Sequence, residues 1–207
     1  SNLTYLLEYP GQEFVLRRPP FGHKAKSAHD MGREYRILNQ LNAGFPYCPK
    51  AYVHCTDESV IGSEFYVMER VNGIILRADL PAELNFSPEQ TTQLCKSFID
   101  KLVELHNVDY QACGLGDLGK PEGYVARQIS GWSDRYEKAL TPDAPLWTEV
   151  KAWLNEKMPA DHPKSAIVHN DYRFDNVILD PRDPQRIIGV LDWELTTLGD
   201  PLMDLGN

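Results

Sequence analysis

His169-Asn170-Asp171-Tyr172-Arg173-Phe174-Asp175-Asn176 is a polar stretch set between two short apolar runs, Ser165 to Val168 before it and Val177 to Leu179 after it. A further run, Arg186 to Leu191, leads into Asp192. The runs are β-branched and strand-like in length. Between the last two lies Asp180-Pro181-Arg182-Asp183-Pro184, a turn by composition. A hairpin is therefore expected that returns Asp192 beside Asn176.

This spacing supplies what magnesium-dependent phosphoryl transfer asks of a protein, which is to aim a hydroxyl at a terminal phosphate and neutralise charge. Asp171 is the carboxylate expected to accept the hydroxyl's proton. Arg173, two residues on, is expected to steady the moving phosphate as a permanent cation. Asn176 offers an amide oxygen and Asp192 a carboxylate to magnesium, a hard cation that takes oxygen donors and keeps several waters. Singly, His169 and Asp171 read as a polar turn and Asp192 as a capping group. Together the acid, the cation, the amide, the flanking strands and the later Leu191-Asp192-Trp193 favour phosphoryl transfer over that reading.

On these residues the chain resembles the protein-kinase-like superfamily, in its small-molecule branch of aminoglycoside phosphotransferases and choline kinases. That branch carries a His-x-Asp-x-x-x-x-Asn loop and a later Asp before an aromatic residue, matched by His169, Asp171, Asn176 and Asp192-Trp193. Leu198-Gly199-Asp200-Pro201-Leu202-Met203-Asp204-Leu205 is similar to the segment that follows in the branch. No Asp-Phe-Gly or Ala-Pro-Glu occurs, which disfavours a protein substrate. Ser1 to Leu6, Val15 to Pro20 and Arg33 to Leu38 resemble one subgroup, the phosphotransferase-like domain associated with acyl-CoA dehydrogenases.

The resemblance implies an α+β, bilobal kinase-like fold, with a small antiparallel-sheet lobe over residues 1–71 and a mainly helical lobe with short catalytic hairpins over 72–207. Leu3 to Tyr9 and Glu13 to Arg17 read as two strands around Pro10-Gly11. Arg17 stands where the family usually has Lys, and Arg18 is the neighbouring cation on the opposite strand face. Glu34, on a helix from Asp30 to Leu41, resembles the acidic partner of the strand cation. Glu64 to Gly73 resembles the adenine-binding hinge, with Met68 in the pocket and Glu69 and Val71 offering backbone groups. By the same resemblance, the phosphate loop is expected to be incomplete at Ser1 and the final helices of the family to be missing after Asn207.

The function implied by the resemblance is that of an ATP-dependent, magnesium-using kinase of a small-molecule hydroxyl, a hydroxyacyl-CoA or related metabolite, associated with an acyl-CoA dehydrogenase. A nucleotide-binding pseudokinase is the alternative, and a metallohydrolase using His169, Asp171, Asp192 and Asp200 a minor one; the chain lacks a second His-rich ligand cluster.

Composition fits a soluble globular domain, with a cytoplasmic location expected as the default: 42% of residues are apolar and 25% charged. No apolar run approaches the roughly 20 residues of a spanning helix. A net charge of -9 argues against nucleic acid and anionic membranes, whose phosphates reward basic patches. The cysteines, Cys48, Cys55, Cys95 and Cys113, form no Cys-x-x-Cys pair and are expected to be reduced.

Ser87-Pro88-Glu89 starts a helix whose apolar positions Leu94, Phe98, Leu102 and Leu105 repeat at helical spacing. His106 after it is expected to pack or cap. Trp132, Tyr136, Trp147 and Trp153 are expected in the core rather than around an acceptor. Asp200 is expected either to hold the catalytic loop or to cap the next helix, and Glu194 either to assist the metal or to face solvent.

Overall fold

A computed structural model describes residues 2–20, 30–77 and 79–206. Its first part is a four-stranded antiparallel sheet in the order β1-β2-β4-β3, formed by β1 (Leu3–Tyr9), β2 (Gln12–Arg18), β3 (Ala51–Cys55) and β4 (Phe65–Glu69). Gly11 closes the β1–β2 turn at φ +77, a left-handed conformation that glycine adopts without steric cost. The register sets Arg17 opposite Thr4 on one side and Tyr66 on the other.

Helix α1 (Met31–Leu41) covers β3 and β4. Asp30 caps it by accepting from Arg33 N, which satisfies one of the free amides of the first turn. Its buried residues, Met31, Glu34, Ile37, Leu38 and Leu41, fall on one helical face. One of the five is a carboxylate, so the helix must supply Glu34 with a partner.

Helix α2 (Pro88–His106) begins with a capping box in which Ser87 and Gln90 satisfy each other's backbone amides. It lies across β5 (Ala166–Val168) and β7 (Asp183–Val190). The expected hairpin is present: β6 (Val177–Asp180) pairs with β7, Val177 facing Val190. The turn is tighter than expected, because Asp183 and Pro184 already belong to β7 and only Pro181 and Arg182 remain outside.

Two strands alone are marginal in water. Here Val177, Leu179, Ile187 and Val190 are fully buried, each burial worth about 1.5–3 kcal/mol, and the packing under α2 is what fixes the hairpin. The link after β4 is tied to it as well. Ile74 pairs with Leu179, and a side chain on Gly73 would meet Leu179 O at 2.4 Å.

Helices α3 (Tyr124–Lys138) and α4 (Thr148–Glu156) pack on each other. They correct one expectation: Trp132, Trp147 and Trp153 are 62%, 53% and 58% exposed. The two helices are too short and too polar on their remaining faces to enclose three indoles between them. β5 pairs with β8 (Thr197–Gly199), and a last 3₁₀ segment, Pro201–Gly206, packs against β5. Among the described residues no helix is long and apolar enough to cross a membrane.

Candidate active site

The loop from His169 to Asn176 joins β5 to β6, and its anchor is a buried carboxylate. Asp204 Oδ2 accepts from His169 N at 2.9 Å and Oδ1 from Asn170 N at 2.6 Å. Two successive backbone amides thus converge on one anion. Asn170 turns the chain at φ +63, a left-handed conformation that Asn tolerates better than most residues. His106 closes the arrangement, its Nε2 lying 2.8 Å from Asp204 Oδ2.

Asp200, expected either to hold this loop or to cap, accepts from Leu202 N within its own turn, and it is Asp204 that holds the loop. An acid embedded among Leu202, Met203 and Leu205 was the signal available for it. The loop is also fastened to α2, where Tyr172 and Phe174 stack on Phe98 with ring centres 4.3 Å away in both cases. Tyr172 Oη donates to Phe98 O.

His169 is fully buried against Trp193 and Tyr172. Burial holds its imidazole below the ordinary value of 6.5. The neighbours fix the tautomer: Nδ1 accepts from Asp171 N at 3.3 Å, so the proton sits on Nε2 and is donated to Leu191 O at 2.9 Å.

A depressed folded-state pKa means that the unfolded chain binds the extra proton first. The contribution of His169 is therefore complete above about 6.5 and is lost as pH falls below it. Glu34 acts in the opposite sense over about 4.5 to 7, but in both proteins of a comparison. We expect the stability gap between the unsubstituted chain and His169→Gln to shrink from pH 7.5 to 5.5 in paired urea titrations; a constant gap would contradict the neutral tautomer.

Asp171 and Asn176 meet directly. Asn176 Nδ2 donates to Asp171 Oδ2 at 2.7 Å and to Asp171 O at 2.9 Å. With the nitrogen engaged, the remaining polar atom of the amide is Oδ1, an oxygen of the kind magnesium takes. Leu191 N donates to Asn176 O at 2.7 Å, which brings the residue before Asp192 against the loop. Asp192 has φ +65, a conformation costing about 1–2 kcal/mol for a residue with a Cβ. Oδ1 of Asp192 accepts both Arg17 nitrogens at 3.2 Å, and Oδ2 is the carboxylate oxygen that this fork does not engage. An amide oxygen and a carboxylate oxygen on adjoining segments fit a magnesium ion completed by waters and phosphate.

Arg173 is engaged closer to home than expected. Its guanidinium makes a paired contact with Asp175, at 2.6 and 2.7 Å, and lies 3.9 Å from Asp171 Oδ1. It is more than half exposed.

Arg17 links α1 to this centre. Its Nη1 lies 2.6 Å from Glu34 Oε1, and both groups are buried. Burial pushes the Glu34 carboxyl up to about 7 against the pull of Arg17. Burial also opposes the charge on Arg17, but Glu34 and Asp192 outweigh it and hold the guanidinium above its usual range. Arg18 faces the other way, donating to Ile61 O at 3.1 Å. Glu194 accepts from Asn2 Nδ2 at 3.1 Å and lies 4.0 Å from Arg17.

The hinge-like residues divide. Met68 is buried in the core opposite Val15. Glu69, the last residue of β4, pairs with Phe14 of β2; its N donates to Lys50 O and its carboxylate accepts from Lys50 N. Among the described residues Val71 makes no backbone hydrogen bond. The phosphate-loop expectation falls on Ser1, which lies outside the described residues.

A model of the phosphotransferase enzyme family matches residues 1–207. Acyl-CoA dehydrogenase family member 11 of Gallus gallus is 42% identical over 207 residues, covering 99% of this chain and 26% of the relative; the chain thus spans about a quarter of that protein. A solved structure from Ralstonia eutropha, described as a "putative aminoglycoside phosphotransferase", superposes with a TM-score of 0.83 at 38% identity, covering 100% of this chain and 62% of the other. The GDP complex of aminoglycoside 2'-phosphotransferase-IIIa superposes with a TM-score of 0.67 at 17% identity, over 97% of this chain and 66% of the other, a likeness of fold alone.

Proposed function

The chain belongs to the phosphotransferase enzyme family and has its kinase-like α+β fold, and from that premise we propose that it transfers the γ-phosphate of ATP to a hydroxyl of a small molecule. The observation that carries this reading is the Asp171–Asn176 contact tied through Leu191 N to Asp192. Asp171 orients the hydroxyl and takes its proton. Asn176 and Asp192 would hold magnesium, which would supply the positive charge that screens the phosphates. Arg17, fixed by Glu34, faces the phosphates; the Glu69 carbonyl and the Val71 amide receive the adenine edge, with Met68 behind them. Arg173 is a cation at the rim, to be shared between Asp175 and the transferring group.

In this reading residues 1–71 bind nucleotide and residues 72–207 bind the acceptor, in a cytoplasmic setting. A hydroxyacyl group, as in a hydroxyacyl-CoA, is the acceptor we favour. A pocket of about 500 Å³ reaches Asn170, beside Asp171, and shares Gln128, Trp132, Arg135 and Met203 with an apolar trough of about 660 Å³ between α3 and α4. Trp132, with Arg135 stacked over its ring at 4.7 Å, stands where the two join. An acyl chain in the trough would leave its hydroxyl at the loop. The name of the Gallus gallus relative supports a functional association with an acyl-CoA dehydrogenase.

Adding MgATP should raise the melting temperature, and Asp192→Ala should abolish the magnesium-dependent part of that rise. Labelled γ-phosphate should then pass to a member of a panel of hydroxyacyl-CoAs, amino alcohols, sugars and aminoglycosides. No shift with MgATP would sink the nucleotide reading. A shift without transfer to any acceptor would favour a pseudokinase, a reading supported by the grip of Arg17 on Asp192. The metallohydrolase has less support, since among the described residues no three His, Cys, Asp or Glu side chains are grouped to hold a metal.

A further inference from the structure

Helix α1 carries a second arginine directed at the site, one residue before Glu34. Arg33 is half buried; its Nη1 donates to Glu194 O at 3.1 Å, and its Nη2 donates to Thr196 O. Both carbonyls belong to the turn that begins immediately after Asp192, Trp193–Leu195 and its cap Thr196. The contacts close a ring. From α1, Glu34 holds Arg17, Arg17 holds Asp192, and the turn after Asp192 returns to α1 through Arg33.

Asp192 sits in a left-handed conformation, and such a residue persists only where its surroundings over-determine it. Arg17 holds its side chain, while nothing in that contact fixes the backbone beyond it. The planar guanidinium, with several donors in a fixed fork, suits two neighbouring carbonyls in a way that an ammonium does not.

We propose that Arg33 is a positioning residue for Asp192: it pins the backbone after the aspartate to α1, so that the carboxylate, Arg17 and Glu34 move as one unit. The link to metal binding rests on the phosphotransferase reading; the clamp itself does not. Arg36, one turn along the same helix, provides a control, because it donates to Asp117 and Gly114 O and touches nothing near Asp192.

The test is hydrogen exchange on the whole chain for Arg33→Met, Arg33→Lys and Arg36→Met. Arg33→Met should speed exchange across residues 193–199 by about tenfold while leaving residues 177–190 unchanged, since local openings are read separately by this method. Arg33→Lys should fall between, and Arg36→Met should match the unsubstituted chain in that segment. With Mn²⁺ as the probe in the presence of ATP, half-saturation should rise by about tenfold in Arg33→Met, the usual cost of losing a group that orients a metal ligand.

Unchanged exchange at 193–199 overturns the clamp, as does faster exchange everywhere, which is the mark of a merely structural role. Local loosening with equal Mn²⁺ binding overturns the link to Asp192. Absence of ATP-dependent Mn²⁺ binding in the unsubstituted chain defeats the phosphotransferase reading instead, and the exchange comparison still decides the clamp.

Discussion

Asp171→Asn is expected to leave the MgATP-dependent rise in melting temperature intact while cutting phosphoryl transfer by about 10²–10⁴-fold, the range over which a positioned acid–base group acts. Asp171 Oδ2 accepts from Asn176 Nδ2, and an amide at position 171 keeps an oxygen for that bond. The loop should therefore hold its shape. What the substitution removes is the anion that draws the hydroxyl proton.

The comparison should be made with the best acceptor of the panel, by initial rates and by calorimetric titration of MgATP. The two readouts separate binding from chemistry. A rate within about threefold of the unsubstituted chain, far short of that range, would remove Asp171 from the mechanism. Loss of MgATP binding would mean that the loop had collapsed, and would point to the packing of His169 and Tyr172 as the cause.

The parts of this site that were legible in the sequence are those set by local pattern. A polar loop between two β-branched runs, with proline-rich turn chemistry beyond it, leaves a hairpin as the arrangement that returns Asp192 to Asn176. Ser87-Pro88-Glu89 announced the start of α2, where the structure adds the reciprocal hydrogen bonds of Ser87 and Gln90. Distant pairings were not legible in the same way. The apolar neighbours of Asp204 mark it off from Asp200 but do not say what its carboxylate meets; only the approach of Pro201–Gly206 to β5 decides which carboxylate reaches the amides of His169 and Asn170.

The tryptophans fail for a related reason. An indole's apolarity favours burial, but it does not supply a surface to bury against, and α3 and α4 cover only part of each ring. Arg33 belongs with them: its side chain reads as a helix-surface cation until the turn after Asp192 is seen beneath it.

The largest effect on stability should come from Asp204→Ala. Its carboxylate is fully buried and meets His169 N, Asn170 N and His106 Nε2. Removing it strands two backbone donors at about 1–3 kcal/mol each and takes away the partner of His106 Nε2. The two donors together set the expected loss at about 2–6 kcal/mol, or roughly 10 °C in melting temperature for a chain of this size. Asp204→Asn keeps one acceptor oxygen and should cost about half as much. The asparagine variant is the more informative for function, since it should fold well enough to assay while letting His169 and Asn170 relax. Transfer should fall in it with MgATP affinity nearly unchanged, because the carboxylate acts on the segment that aims Asp171 and not on the Val71 link or Arg17. If the asparagine variant transferred phosphate at the full rate, the loop would owe its shape to the Phe98 stack with Tyr172 and Phe174, and Phe98→Leu would become the substitution that separates the two anchors.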